Sequence, residues 1–196
     1  MRKLLRSVGV SVLIFVAITI SLPIQAHAVA VNIPDANLRA VLESALGKNA
    51  GDPITATELA NLTVLEARSH NISDLTGLEH ATNLTNLVLQ SNQISDVSPL
   101  AGLTKLRHLL LGNNQISDVS PLAGLTNLER LILAENRIGD VSPLSGLTNL
   151  AILYINNNQI RDVSALRELR ELTSLHLESN QLGDADSLKE LRQLKE

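Results

Sequence analysis

The chain has 196 residues, with 16 Lys and Arg against 20 Asp and Glu, a formal net charge of −4. It lacks the basic field that a general affinity for nucleic acid or anionic lipid requires. It also has no cysteine, which excludes disulfides, thiolate metal sites and a lipid-modified N-terminal cysteine.

The first residues combine Arg2, Lys3 and Arg6 with an apolar stretch from Val8 to Leu22, a break at Pro23 and the small residues of Ala26-His27-Ala28. This is the pattern of a secretory signal peptide over 1–28, with cleavage after Ala28. The apolar run falls short of the ~20 residues of a spanning helix, so a retained membrane anchor is the weaker reading. Without this segment the chain keeps 13 basic and 20 acidic residues, a net charge of −7. The remaining chain is long enough to bury about 70% of its unfolded surface as one domain. Tyr154 is its one aromatic residue, so stability must come from stacked Leu, Ile and Val.

Residues 29–61 are expected to form a helical cap. Leu38, Val41, Leu42, Ala45 and Leu46 make one apolar stripe at helical spacing, opened by Pro34 and Asp35 and closed by Gly47. Thr55 and Glu58 have capping-box spacing ahead of Leu59 and Leu62, which predicts a second, shorter helix.

From residue 62 a 22-residue period takes over. Asn92, Asn114, Asn136, Asn158 and Asn180 recur at that interval, each preceded by the spacing seen in Leu106, Leu109 and Leu111. Six units follow, 62–83, 84–105, 106–127, 128–149, 150–171 and 172–193, and residues 194–196 begin a seventh or form a tail. A unit this small cannot bury its apolar side alone, so the units must stack into an α/β solenoid with one continuous core. The first half of each unit, as in Leu131 and Leu133, has the alternation of a short strand. The second half, as in Ile138, Val141, Leu144 and Leu147, is apolar at every third position and suits a 3₁₀ turn. Pro99, Pro121 and Pro143 argue against a continuous helix there. In the last two units Arg167, Glu168, Arg170 and Glu171, then Lys189, Glu190 and Arg192, bring charge into this half, which reads as a polar end that keeps the stack soluble.

The Leu-x-x-Leu-x-Leu-x-x-Asn-x-Ile segment followed by Ser-Asp-Val-Ser-Pro-Leu-(Ala/Ser)-Gly-Leu-Thr resembles the bacterial leucine-rich repeats of the internalin family over 62–193. The resemblance implies a right-handed leucine-rich-repeat solenoid with a concave parallel β-sheet, an irregular 3₁₀ convex side and protein ligands held on the concave face. An immunoglobulin-like segment, a sorting motif and a basic membrane tail are not expected after Leu194. The 22-residue units are also similar to phosphatase-regulating leucine-rich repeats, which the signal peptide disfavours.

The asparagines read as structural: a carboxamide at each turn satisfies backbone groups of its own and the next unit, each worth ~1–3 kcal/mol if left unpaired. His70 replaces it in the first unit. Asp74, Asp96, Asp118, Asp140, Asp162 and Asp184 recur once per unit without clustered oxygens, so turn stabilisation is expected rather than calcium binding. Between the inward leucines one outward column reads Glu66, Val88, Leu110, Ile132, Tyr154 and His176, with the strands about 4.8 Å apart. Its apolar members should form an exposed stripe roughly 14 Å long, widened by Ile152 and edged by His108 and Arg130. Gln90, Gly112, Ala134 and Asn156 flank it with mostly small residues. An exposed apolar strip rimmed by polar groups marks an interaction site, and Tyr and Arg are favoured anchors.

The expected function is therefore a secreted protein-binding module using Val88, Leu110, Ile132, Ile152, Tyr154, His108 and Arg130. It is expected to act as a monomer, with no cofactor, no metal, and no nucleic-acid or membrane partner. The alternative is a structural segment, or the front of a longer cell-surface repeat protein. No nucleophile elbow, phosphate loop or metal-spaced cluster suggests an enzyme, and His108 and His176 stand three strands, ~14 Å, apart.

Overall fold

The strand halves of the units pair side by side, so that each unit adds one strand to a single sheet. The computed structural model describes residues 29–183, 188, 189 and 191; the expected signal segment, Asp184, Glu190, Arg192 and the tail lie outside them. Six strands, β1 (Val64–Glu66), β2 (Asn86–Val88), β3 (His108–Leu110), β4 (Arg130–Ile132), β5 (Ile152–Tyr154) and β6 (Ser174–His176), form one sheet in chain order. All neighbours are parallel and offset by one repeat, as in Val88↔Leu110↔Ile132↔Tyr154. The return halves contain 3₁₀ turns at Leu78–His80, Ser98–Leu100, Ser120–Leu122, Ser142–Gly146 and Ser164–Glu168. The charged fifth unit thus keeps a 3₁₀ turn despite its good helix formers. Close strand spacing on one side and bulkier turns on the other bend the stack toward the sheet, which is its concave side.

The middle residue of each strand points inward, and Leu87, Leu109, Leu131 and Leu153 are wholly buried. They join the turn residues, such as Ile94, Val97, Leu100 and Leu103, in one continuous core that runs from Ile33 to Leu191. Five asparagines tie this stack together. In Asn158 the side-chain N–H donates to Leu133 O and Ile155 O, both at 3.0 Å, and Oδ1 accepts from Ile138 N at 2.9 Å. Asn92, Asn114, Asn136 and Asn180 repeat the pattern. The partners therefore belong to the asparagine's own unit and to the preceding one, not the next, because the chain turns back under the strand already laid down. A second series was not foreseen: Asn83 donates to the Ala60 carbonyl of the cap, and Asn127 and Asn149 donate to carbonyls of the preceding units, Thr104 and Thr126.

The cap contains α1 (Ala36–Ala45) and α2 (Ala56–Leu59). The stripe is narrower than the spacing suggests: Leu38, Val41 and Leu42 are buried, Leu46 is half-buried and Ala45 is exposed. Glu43 is buried as well, held by Arg39 Nε at 2.9 Å and by Gly51 N at 2.9 Å. The Thr55–Glu58 capping box forms as its spacing predicts. Asp35 does more than open α1. One carboxylate oxygen accepts from Asn37 N and Leu38 N, and the other accepts from Ser73 N, Ser73 Oγ and Asp74 N. The helix N-terminus and the first repeat thus share one anion. Ahead of it, Val31 N donates to Ile54 O at 2.7 Å. This strap passes over Gly77, where the next three units have Pro99, Pro121 and Pro143: a Cβ on Gly77 would lie 2.7 Å from Ile33 Cγ1 and 2.9 Å from Asn32 O, and its φ is +100°.

Three outcomes follow from these contacts. Asn158→Ala leaves the Ile138 N–H without a partner in a buried site, while Leu133 O keeps Asn136 and Ile155 O keeps Asn180; it should lower unfolding free energy by about 2 kcal/mol, read from urea titration. Glu135 sits at φ 57°, in a column otherwise filled by Ser and Asn; Glu135→Asn should raise stability by about 0.5 kcal/mol, since Asn tolerates that region better. Burial works against the Asp35 carboxylate, but the Ser73, Leu38 and Asp74 N–H groups and the Ser73 hydroxyl outweigh it and hold its pKa below the usual carboxylate range. Lys48 Nζ, the Thr55 N–H and the Thr55 hydroxyl lower Glu58 from 4.5 to about 2. Both groups titrate lower when folded, so their stabilisation is complete above the ordinary carboxylate range and is lost as pH falls below it, for Glu58 from about 4.5 toward 2. The protection of α1 amides against hydrogen exchange, relative to their intrinsic rates, should therefore fall on acidification, and Asp35→Asn should blunt the change.

Candidate functional site

Two outward positions per strand build the concave surface. The first column is Val64, Asn86, His108, Arg130, Ile152 and Ser174, and the second is Glu66, Val88, Leu110, Ile132, Tyr154 and His176. Val88, Leu110, Ile152 and Tyr154 are half-buried. Ile132 departs from the expected exposed stripe, retaining 8% of its surface. It stands outside the continuous core. Its side chain is covered on the outer face, where its Cγ2 lies against Gly112, 3.5 Å from where a Cβ on that glycine would sit. The apolar column therefore packs against itself, and Ile132 is its covered centre.

Tyr154 stacks on His176 of the next strand, with ring centroids 4.1 Å apart and planes 29° from parallel. Ser174 Oγ lies 3.4 Å from Tyr154 Oη. These contacts hold the ring in place and extend the strip by one residue beyond the sequence expectation. At the other edge, His108 Nδ1 is 3.0 Å from Asn86 Nδ2, and its Nε2 is 3.8 Å from Glu129. Arg107 also contacts Glu129 through Nε, at 2.9 Å, and Nη2. The exposed Arg130 side chain makes no hydrogen bond or ion pair among the described residues, so its guanidinium is available beside Ile152. His108, by contrast, is already engaged.

Two hollows border the strip. One, of about 190 Å³, includes Gln90, Gly112, Ile132 and Ala134, where short side chains leave room above the sheet. The other, of about 870 Å³, runs along the entry to the strands past Lys105, Arg107, Glu129, Asn149 and Glu171. The sequence had not singled out this edge, whose signal was the repeated polar residue at the close of each unit.

The repeated acids are turn residues. Asp96, Asp118, Asp140 and Asp162 each accept the backbone N–H two residues on, at 2.8 Å. The Ser120 N–H and then its hydroxyl pull Asp118 below the usual carboxylate range, and the Ser164 N–H is the leading cause at Asp162. No group of three or more His, Asp or Glu able to hold a metal occurs among the described residues. His70 is exposed, with Nδ1 2.7 Å from Arg68 O, while its backbone N–H donates to Asn92. It has no preceding repeat to bind, which explains why the asparagine is dispensable there.

A leucine-rich-repeat family model matches residues 82–124 and 126–168, and a second one matches 169–186. No curated protein sequence matches the chain. Among solved structures, an internalin (inlF) from Listeria monocytogenes is 34% identical with a TM-score of 0.68, and the match covers 83% of this chain and 55% of that one. Internalin C2 from the same species is also 34% identical, with a TM-score of 0.65 over 86% of this chain and 88% of that one. A leucine-rich-repeat protein from Leptospira interrogans is 26% identical, with a TM-score of 0.66 over 73% of this chain and 38% of that one. This chain thus spans little more than half of the first relative and most of the second. With the repeat register, the asparagine ladder and these likenesses together, the chain belongs to the internalin family of bacterial leucine-rich-repeat proteins.

Proposed function

We propose that this protein-interaction scaffold is exported and grips a protein partner on the concave face, with Val88, Leu110, Ile132, Ile152 and Tyr154 as the apolar strip and His108 and Arg130 as its polar edge. One observation carries the reading. Four apolar side chains from four separate repeats share a single outward column, although nothing in the repeat requires apolar residues there: the same column has Glu66 at one end and His176 at the other. Side chains that are half-buried, pre-packed and fixed by a rigid sheet lose little freedom on docking. Tyr154, clamped by His176, is the best-ordered anchor, and Arg130 is the charge most available to a partner carboxylate.

Export rests on the pattern of residues 1–28 and agrees with membership of the family. No helix among the described residues is long and apolar enough to cross a membrane. A second reading has its own support: the relative that is longer than this chain is consistent with a front segment whose further activity lies elsewhere. Binding is the activity assigned to the scaffold, in keeping with its leucine-rich-repeat family.

Photo-reactive residues placed at Leu110, Tyr154 and, as a control beside the 3₁₀ return Ser120–Leu122, Ala123 test the face. In the native extracellular milieu the first two should cross-link to the same partner and Ala123 should not, and Tyr154→Asp should abolish the Leu110 product while the far-ultraviolet dichroism stays unchanged. Equal labelling from Ala123 would remove the concave face as the site. N-terminal sequencing of the exported protein should begin at Val29.

A further inference from the structure

The concave surface does not end openly at β1. Helix α1 runs beside it, leaving a cleft of about 430 Å³ lined by Ala40, Ser44 and Ala45 of the helix, Val64 and Glu66 of the strand, and His70. Its size falls within the range of pockets that enclose small groups, roughly 300–1,000 Å³. The helix contributes short side chains, all exposed, so space remains above the strand. Val64 is 50% exposed, the one large hydrophobic residue of the described repeats left so open. The next members of its column are the polar Asn86, His108 and Arg130. Above it, the Glu66 carboxylate makes no hydrogen bond or ion pair among the described residues, whereas Glu43, Glu58 and Glu129 are all engaged.

An uncovered apolar floor beside an uncommitted carboxylate has a defined complement. We propose that the α1–β1 cleft binds a polypeptide at an aliphatic side chain adjacent to a lysine or arginine. The aliphatic group covers Val64 between helix and strand, and the cation pairs with Glu66. The site is independent of the Val88–Tyr154 strip, since it is built by the cap and the first repeat, and its selectivity is for a cation rather than for the carboxylate that Arg130 favours.

The test uses the full chain, labelled with ¹⁵N, and two blocked tetrapeptides, acetyl-Ala-Leu-Lys-Ala-amide and acetyl-Ala-Leu-Glu-Ala-amide. The lysine peptide should shift the amides of Ala45, Val64 and Glu66 saturably and bind about threefold tighter than the glutamate peptide, as expected for an exposed pair. Glu66→Gln, a surface change that leaves the core intact, should bring the two affinities together. Ala45→Trp should fill the cleft and abolish both sets of shifts while the far-ultraviolet dichroism stays unchanged. Absence of saturable shifts, shifts confined to Leu110 and Tyr154, or a lysine preference that survives Glu66→Gln would overturn the assignment. So would concentration-dependent self-association removed by Ala45→Trp, which would make the occupant a second copy of this chain. Cross-linking at Tyr154 reports on the strip alone, so the two readings fail separately.

Discussion

Each repeat can satisfy its backbone only by pairing with the repeats on either side, as Arg107 N does with Thr85 O and Leu111 N with Ile132 O, and that dependence organises the molecule. The asparagine carboxamide spans two units, donating to carbonyls of both and accepting an N–H from the earlier one. A leucine pair alone would bury area without fixing register, since apolar contact is non-directional. The carboxamide adds direction: a slip of one residue would leave the N–H it accepts unpaired, at ~1–3 kcal/mol, and would break the sharing of each carbonyl between successive asparagines. Parallel pairing without offset errors across six strands is the result.

This constraint also separates structure from recognition. Inward positions are locked to Leu, Ile and Val, and turn positions to residues that serve the turn, such as Asp118 with Ser120. The outward positions of each strand carry no such duty. What stands there is free to differ from unit to unit, which is why the proposed binding strip is read from a valine, a leucine, an isoleucine and a tyrosine in one column and not from five identical asparagines. The covered state of Ile132 fits this account. On a curved sheet the outward side chains converge, so a strip of adjacent apolar residues partly buries itself and leaves its edges, among them Tyr154 and Leu110, half-buried.

Much of this was legible because it is periodic. The strand columns, the 3₁₀ returns, the structural asparagines and the acidic turn residues all follow from residue type and a fixed interval, and the capping box follows from a spacing of three. What escaped were contacts that join unlike segments. Asp35 reads as an N-cap from its neighbours, yet its second oxygen serves Ser73, 38 residues away. The buried Glu43 stands beside an apolar stripe and is explained only by Arg39 and the Gly51 N–H. The cleft went unseen for the same reason: Val64 and Glu66 could be placed in their columns, but the position of α1 over that end of the sheet depends on Asp35 and on the strap across Gly77.

The cap therefore does more than close the stack. Covering the first repeat requires only an apolar face, which Leu38, Val41 and Leu42 supply. The remaining features have another consequence. Gly77 admits the strap where proline stands in the next three units, the strap and the Asp35 anion fix the angle of α1, and the short outer side chains of α1 leave Val64 uncovered. Filling that space with larger residues would have sealed the end of the core at no cost in hydrogen bonds. Since the geometry instead holds a valine open beside a carboxylate, and does so through contacts more specific than burial demands, the N-terminal end is best understood as part of the recognition surface.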